Sequence, residues 1–171
     1  MARRMNCENQ SYRHFQTLAQ VYCECVENSP DTGLTFLRNI RDRLLPLYAA
    51  ALHFPEVKNV QFRDDFPDKD DMTTEQRFSL SRRLRGLGFT DTYRLIYHPL
   101  ENDPDDPMHG SLVDDLSDIW WDIKPGLNLL ERKSDDWAPE VFWDWKESFQ
   151  THWGRHAIEA LRALHEHLQD T

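Results

Sequence analysis

The chain has 171 residues, of which 30 are acidic and 20 basic, and carries a formal net charge of −10. That length fits one domain with a real core, and an aromatic share of 12% excludes general disorder. An acidic surface repels phosphates and anionic membranes, which argues against direct nucleic-acid binding and suits a basic protein partner.

No stretch approaches the ~18 apolar residues of a membrane span, and no apolar run follows the basic N-terminus as a secretory signal requires. The expected location is the cytoplasm, with no membrane association. Three cysteines, Cys7, Cys23 and Cys25, make an odd set that argues against a disulfide framework. Cys23 and Cys25 are two apart and point in different directions on a helix, so they lack metal-ligand spacing.

Residues 1–8 read as a flexible N-terminus and residues 9–171 as a single helical domain. The first helix is expected over 9–28, where Phe15, Leu18, Ala19, Tyr22 and Val26 form one stripe. Ser29-Pro30-Asp31-Thr32 ends it and caps the second, expected over 33–53. Leu34, Leu37, Ile40, Leu44, Tyr48 and Ala51 share a face there, and Pro46 predicts a kink or local break. A polar, acidic loop follows, with 64–71 expected to be exposed and mobile.

Thr73 with Gln76 resembles a capping box for a third helix over 74–85 that stops at Gly86 or Gly88. Tyr93 to Tyr97 is the one segment that suits an extended conformation, and 101–107 is a turn-rich acidic loop. Ser111 with Asp114 opens a fourth helix over 112–131, with Leu112, Leu116, Ile119, Ile123 and Leu130 on its core face. Pro125-Gly126 predicts a kink in it. Pro139 opens the last and longest helix, over 139–168, with Phe142, Trp145, Phe149, Trp153, Ala160 and Leu164 on one side. The fold class is therefore all-α: a single-domain bundle or array of about five helices with at most one very short extended segment.

His152 and His156 stand four apart on that last helix and project from one face, which also carries Trp145 and Ala160, so both are expected to point inward. A buried imidazole needs a hydrogen-bond partner. Asp115, Asp118 and Asp122 lie within about 60° of arc on the fourth helix, beside its apolar face. If the two helices are antiparallel neighbours, the five side chains meet. Two imidazoles with carboxylates can bind Zn, Mn or Fe, or move protons. The metal ligands in that case are His152, His156, Asp118 and Asp122. The structural reading of this candidate polar cluster is a hydrogen-bonded core pair beside a solvated acidic stripe, and no Glu-x-x-His or His-Glu-x-x-His pattern strengthens the functional one.

The third helix carries Arg77, Arg82, Arg83 and Arg85, a dense basic patch in which Arg82 and Arg85 are candidates for holding an anion. Pairing with the chain's own carboxylates is the preferred reading. Trp120-Trp121 cannot both face one core, and Trp121 is expected under a loop or exposed. An exposed Trp suits a protein-binding surface. Glycine-rich phosphate loops, nucleophile elbows and kinase signatures are all absent.

The run Ser111-Leu112-Val113-Asp114-Asp115-Leu116-Ser117-Asp118-Ile119-Trp120-Trp121-Asp122-Ile123-Lys124 and the run from His152-Trp153-Gly154 to Ala163-Leu164-His165 resemble a bacterial family known as domain of unknown function 5063. That family shows an acidic Asp-Asp-Leu-x-Asp-Ile-Tyr-x-Asp-Leu-Lys helix, then Trp-Gly followed by Ala-Leu-Arg-Ala-Leu-His. Trp120 stands here where Tyr is usual and Ile123 where Leu is usual; Tyr97-His98-Pro99 also fits, and the C-terminal half matches best. The resemblance implies a small helical protein and brings no activity with it. It implies that Asp115, Asp118, Asp122, Trp153, Gly154, Arg162 and His165 belong to the recurring motif. Trp153, Gly154, Arg162 and His165 read as a packing motif, with Gly154 letting the fourth helix approach.

The leading functional expectation is a non-enzymatic protein-interaction or accessory module without a cofactor. The alternative is a metal- or anion-dependent enzyme built on the His/Asp cluster, with a divalent metal as its cofactor.

Overall fold

The computed structural model describes residues 2–57, 60, 62, 74–95, 108–133 and 137–169, with backbone only for 2–9 and 133. The elements are α1 (Ala2–Asn28), α2 (Gly33–Leu52), α3 (Thr74–Arg85), β1 (Thr92–Leu95), β2 (Met108–Ser111), α4 (Leu112–Lys133), α5 (Ala138–Ser148) and α6 (Gly154–Gln169). A π-helical turn, Phe149–Trp153, joins α5 to α6. Helical backbone runs through both of its ends, so these three pieces form one rod and the described residues build five. This is the all-α bundle that the apolar spacing predicts. The cap at Thr73 and the loops at 64–71 and 101–107 lie outside the described residues.

The stripes close on each other as their periodicity demands. Phe15, Ala19, Tyr22 and Val26 from α1 are buried with Leu37, Ile40, Leu44 and Ala51 from α2 and with Leu112, Leu116, Ile119 and Ile123 from α4. The α1 backbone starts at Ala2, earlier than the start near residue 9 that the apolar spacing marks. Leu34, expected on the apolar face, is exposed, while Phe36 and Leu37 in the same turn are buried; Gly33 before it carries a positive φ of 52°. Pro46 sits inside α2 and the helix continues through it.

The expected extended segment finds a partner. Thr92–Leu95 pairs antiparallel with Met108–Ser111, with Tyr93 opposite Gly110. This two-stranded ribbon sits at the mouth of α4. Asp91 accepts from the Ser111 hydroxyl (2.9 Å) and from the Val113 N–H (2.7 Å), and Ser111 Oγ accepts from the Asp114 N–H (3.1 Å). The donors exposed at the start of α4 are thus taken up by side chains. The ribbon and α4 become one unit, which holds Tyr93 over the first turns of the helix.

Gly126 is where α4 meets the fifth rod most closely. A Cβ there would lie 2.6 Å from Trp145 Nε1 and 2.8 Å from Val141 Cγ1. Trp145, fully buried, donates from Nε1 to the Ile123 carbonyl at 3.1 Å. Gly154, expected to give helix four its close approach, does something else. Its nearest atoms in the Cβ direction are the carbonyl and ring of Phe149, in its own rod. The close contact between the two rods comes from Gly126 because the bulky indole lies on that side.

Candidate metal centre

Three carboxylates come from one face of α4. Asp115, Asp118 and Asp122 follow one another by three and four residues, one turn each, and all three are buried. A buried carboxylate is costly without donors. Each here has them. Asp115 accepts from His156 Nδ1 at 2.8 Å and from the Tyr93 hydroxyl. Asp122 meets His152 Nδ1 at 2.7 Å. Asp118 accepts from Arg77 and lies 3.6 Å from His156 Nε2.

The expectation that His152 and His156 meet the acids of the fourth helix therefore corresponds to the observed geometry. The inward direction needs correction. His152 keeps 49% of its side chain exposed and His156 27%. The core stripe runs through Trp153 and Ala157, each one residue further along. One residue is about 100° of arc, so both imidazoles sit on the flank of the stripe, at the edge of the seam. Their rings touch edge to face, with centroids 4.8 Å apart.

The hydrogen bonds determine which nitrogens are free. An ionised carboxylate only accepts, so a neutral imidazole facing one places its proton on that nitrogen. Asp122 and Asp115 hold the Nδ1 protons of His152 and His156. Both Nε2 lone pairs are left available. One donor atom each from Asp118, His152 and His156 falls within 4.8 Å of the others. Two imidazoles oriented by outer carboxylates, plus one further carboxylate, are a ligand set for a divalent transition ion.

Burial and hydrogen bonding favour the proton-bound forms of these groups, with which a metal ion would compete. Burial pushes the Asp118 carboxyl above the usual carboxylate range, against the opposing pull of Arg77 and the two imidazoles. The hydrogen bond to Asp115 raises His156 above its ordinary value. Tyr93 is pushed up by burial and then by Asp115, so its hydroxyl stays a donor to that carboxylate. Its ring lies over Gly110, where a Cβ would overlap it, and under the Arg162 guanidinium, 5.5 Å from the centroid.

The family model for Domain of unknown function (DUF5063) matches residues 7–170. The chain belongs to the DUF5063 family. The match runs through the N-terminal half as well as the motifs of the C-terminal half. No curated protein matches the chain. Among solved structures it is similar to protein BF1032 from Bacteroides fragilis, at 22% identity and a TM-score of 0.71, covering 90% of this chain and 89% of that one. That likeness is one of fold.

The motif residues of this DUF5063 chain do different work. Trp153 is fully buried and donates to the Trp145 carbonyl at 3.3 Å. Arg162 reaches the Arg94 carbonyl on β1 and Glu159 at 3.2 Å, and so ties the ribbon to α6. His165 is exposed. Of the anion candidates, Arg85 meets Asp114 at 3.4 Å on the surface, and Arg82 is exposed in a cleft with Glu75 and Ser79. Neither reaches the cluster. Arg77 does, lying also 5.6 Å over the Trp121 ring, which accounts for the partial burial of that indole. Tyr93 and Arg77 are the two members that sequence spacing misses.

Proposed function

We propose that this chain acts through a divalent-metal centre formed by Asp118, His152 and His156, with Asp115 and Asp122 as the outer carboxylates. The observation that carries this reading is the paired orientation of the imidazoles: each faces a buried carboxylate through Nδ1, His156 has Nε2 3.6 Å from Asp118, and one donor atom each of His152, His156 and Asp118 falls within 4.8 Å of the others. Charge balance supports it. Among the described residues Arg77 is paired with the buried Asp118, and a divalent ion would add positive charge beside the buried carboxylates. Three protein donors and a half-exposed His152 leave coordination positions open to water or a ligand, as in catalytic rather than structural sites.

Elemental analysis of protein purified without chelator tests it. About one transition ion per chain, lost in His152→Ala and His156→Ala, is the expected result. A wild-type chain that neither carries an ion nor takes up added Zn2+ or Mn2+ would falsify it.

The second reading is the interaction or accessory module. Leu45 and Leu52 are more than half exposed and seven residues apart on one face of α2, which suits a partner helix. The tryptophans support it less. Four of six are buried, Trp121 is half-buried, and Trp143, 36% exposed, packs edge-on against Phe62. Light scattering of the wild type against Leu45→Glu/Leu52→Glu, at matched concentration, separates a self-associating face from a monomer with bare leucines.

A further inference from the structure

The fifth rod contains one residue more than its core needs. Trp145 and Trp153 are both fully buried on one stripe and joined by a hydrogen bond, yet they are eight residues apart. On a regular α-helix at ~100° per residue they would diverge by ~80°. The π turn at Phe149–Trp153 absorbs the surplus residue, and the stripe continues through Ala157, Ala160 and Leu164. A rod one residue shorter, α-helical throughout, would put the two indoles seven residues apart and ~20° from alignment. The core is served by either.

What the extra residue changes is local. The wide turn is closed by the Gly154 N–H donating to the Phe149 carbonyl, five residues back. The Thr151 hydroxyl caps the Glu147 carbonyl at 2.8 Å. Gly154 has no Cβ, and any Cβ there would run into that same Phe149 carbonyl. Gly154 is thereby a condition of the π turn. His152 lies inside this turn, and its ring is the one that reaches Asp122. His156, beyond the turn in regular α6, makes its own pair with Asp115.

We infer that the π turn, held by Gly154, is a positioning device that aims His152 at Asp122 and Asp118, and that it is kept for the centre rather than for the core. This rests on the reading of the cluster as a metal site. Gln150 is exposed and can be deleted to return the rod to α-helix.

Three full-length chains test it: the Gln150 deletion, Gly154→Ala, and the deletion combined with Gly154→Ala. The deletion is expected to unfold in urea like the wild type. Gly154→Ala is expected to lose stability, and the combination to recover it. In both deleted chains Zn2+ affinity, read by competition with a chromophoric chelator, is expected to fall about 100-fold, the upper end for loss of an orienting partner. The 15N signals of the His152 ring should lose the fixed Nδ1–H tautomer, with those of His156 unchanged. A deleted chain that keeps wild-type Zn2+ affinity and the His152 tautomer overturns the inference. So does one that fails to fold, since the residue then serves the core. If the wild type binds no Zn2+, the metal reading falls, and the His152 ring signals still decide whether the turn aims the imidazole.

Discussion

His152 Nδ1 lies 2.7 Å from Asp122 Oδ2, across the seam between two helical rods and thirty residues apart in sequence. The carboxylate is nearly inaccessible while the imidazole is half in solvent. A buried acid thus holds a ring whose other nitrogen is free, an arrangement that would orient the imidazole for a metal ion.

Removing the outer carboxylates should weaken the centre without dissolving the fold. Asp122→Asn and Asp115→Asn keep size and hydrogen bonding but no longer enforce one tautomer. Each is expected to lower Zn2+ affinity about 10- to 100-fold, and Asp118→Asn to lower it further because a ligand goes. Calorimetric titration of chelator-treated protein reads all three. Unchanged affinity in both outer variants would leave the outer shell without a role.

In metal-free protein, His156 should make stability fall with rising pH. Its folded pKa is raised, first by the hydrogen bond to Asp115, so the folded state holds the proton more tightly than the unfolded chain does. That contribution is complete below the ordinary histidine value of about 6.5 and disappears as pH climbs through the raised value. Asp118, raised by burial, has the same sign: the folded state prefers its protonated form, and that preference is lost on ionisation. Urea unfolding between pH 5 and about 9 should slope downward in the wild type and flatten in His156→Gln. A wild-type profile that rises through this range contradicts the assignment.

Metal binding should run the other way with pH. The ion and the proton compete for His156 Nε2, so affinity should increase as pH passes the raised pKa. Repeating the Zn2+ titration at pH 6 and about 8 checks this, and a pH-independent affinity would place the ion elsewhere.

Gly126→Ala should destabilise by about 1–3 kcal/mol, because the new methyl overlaps the Trp145 indole and Val141. Chemical denaturation measures it. A neutral result would mean that α4 and α5 have room to separate, and with them the two halves of the centre.

Much of this is legible in local spacing, and the reason is physical. Asp115, Asp118 and Asp122 share a face by arithmetic alone, as do His152 and His156, and the Ser111 cap needs only three residues of context. Once α4 and the fifth rod are neighbours, the cluster follows. Arg77 and Tyr93 are not recoverable that way. They reach the acids from α3 and from a two-stranded ribbon, and no periodicity links either to α4. The π turn is hidden for a different reason. A count at 3.6 residues per turn is blind to a wider one, and so it places both imidazoles inward and gives Gly154 to the wrong neighbour.

The most direct measurement is an anomalous difference map from crystals grown with Zn2+, collected on both sides of the zinc absorption edge. The account predicts one strong peak, about 2.0–2.2 Å from the Nε2 atoms of His152 and His156 and from an Asp118 oxygen, with Asp122 and Asp115 still on the Nδ1 side. No peak at that seam, or a peak coordinated by Nδ1 with the aspartates turned away, would contradict it.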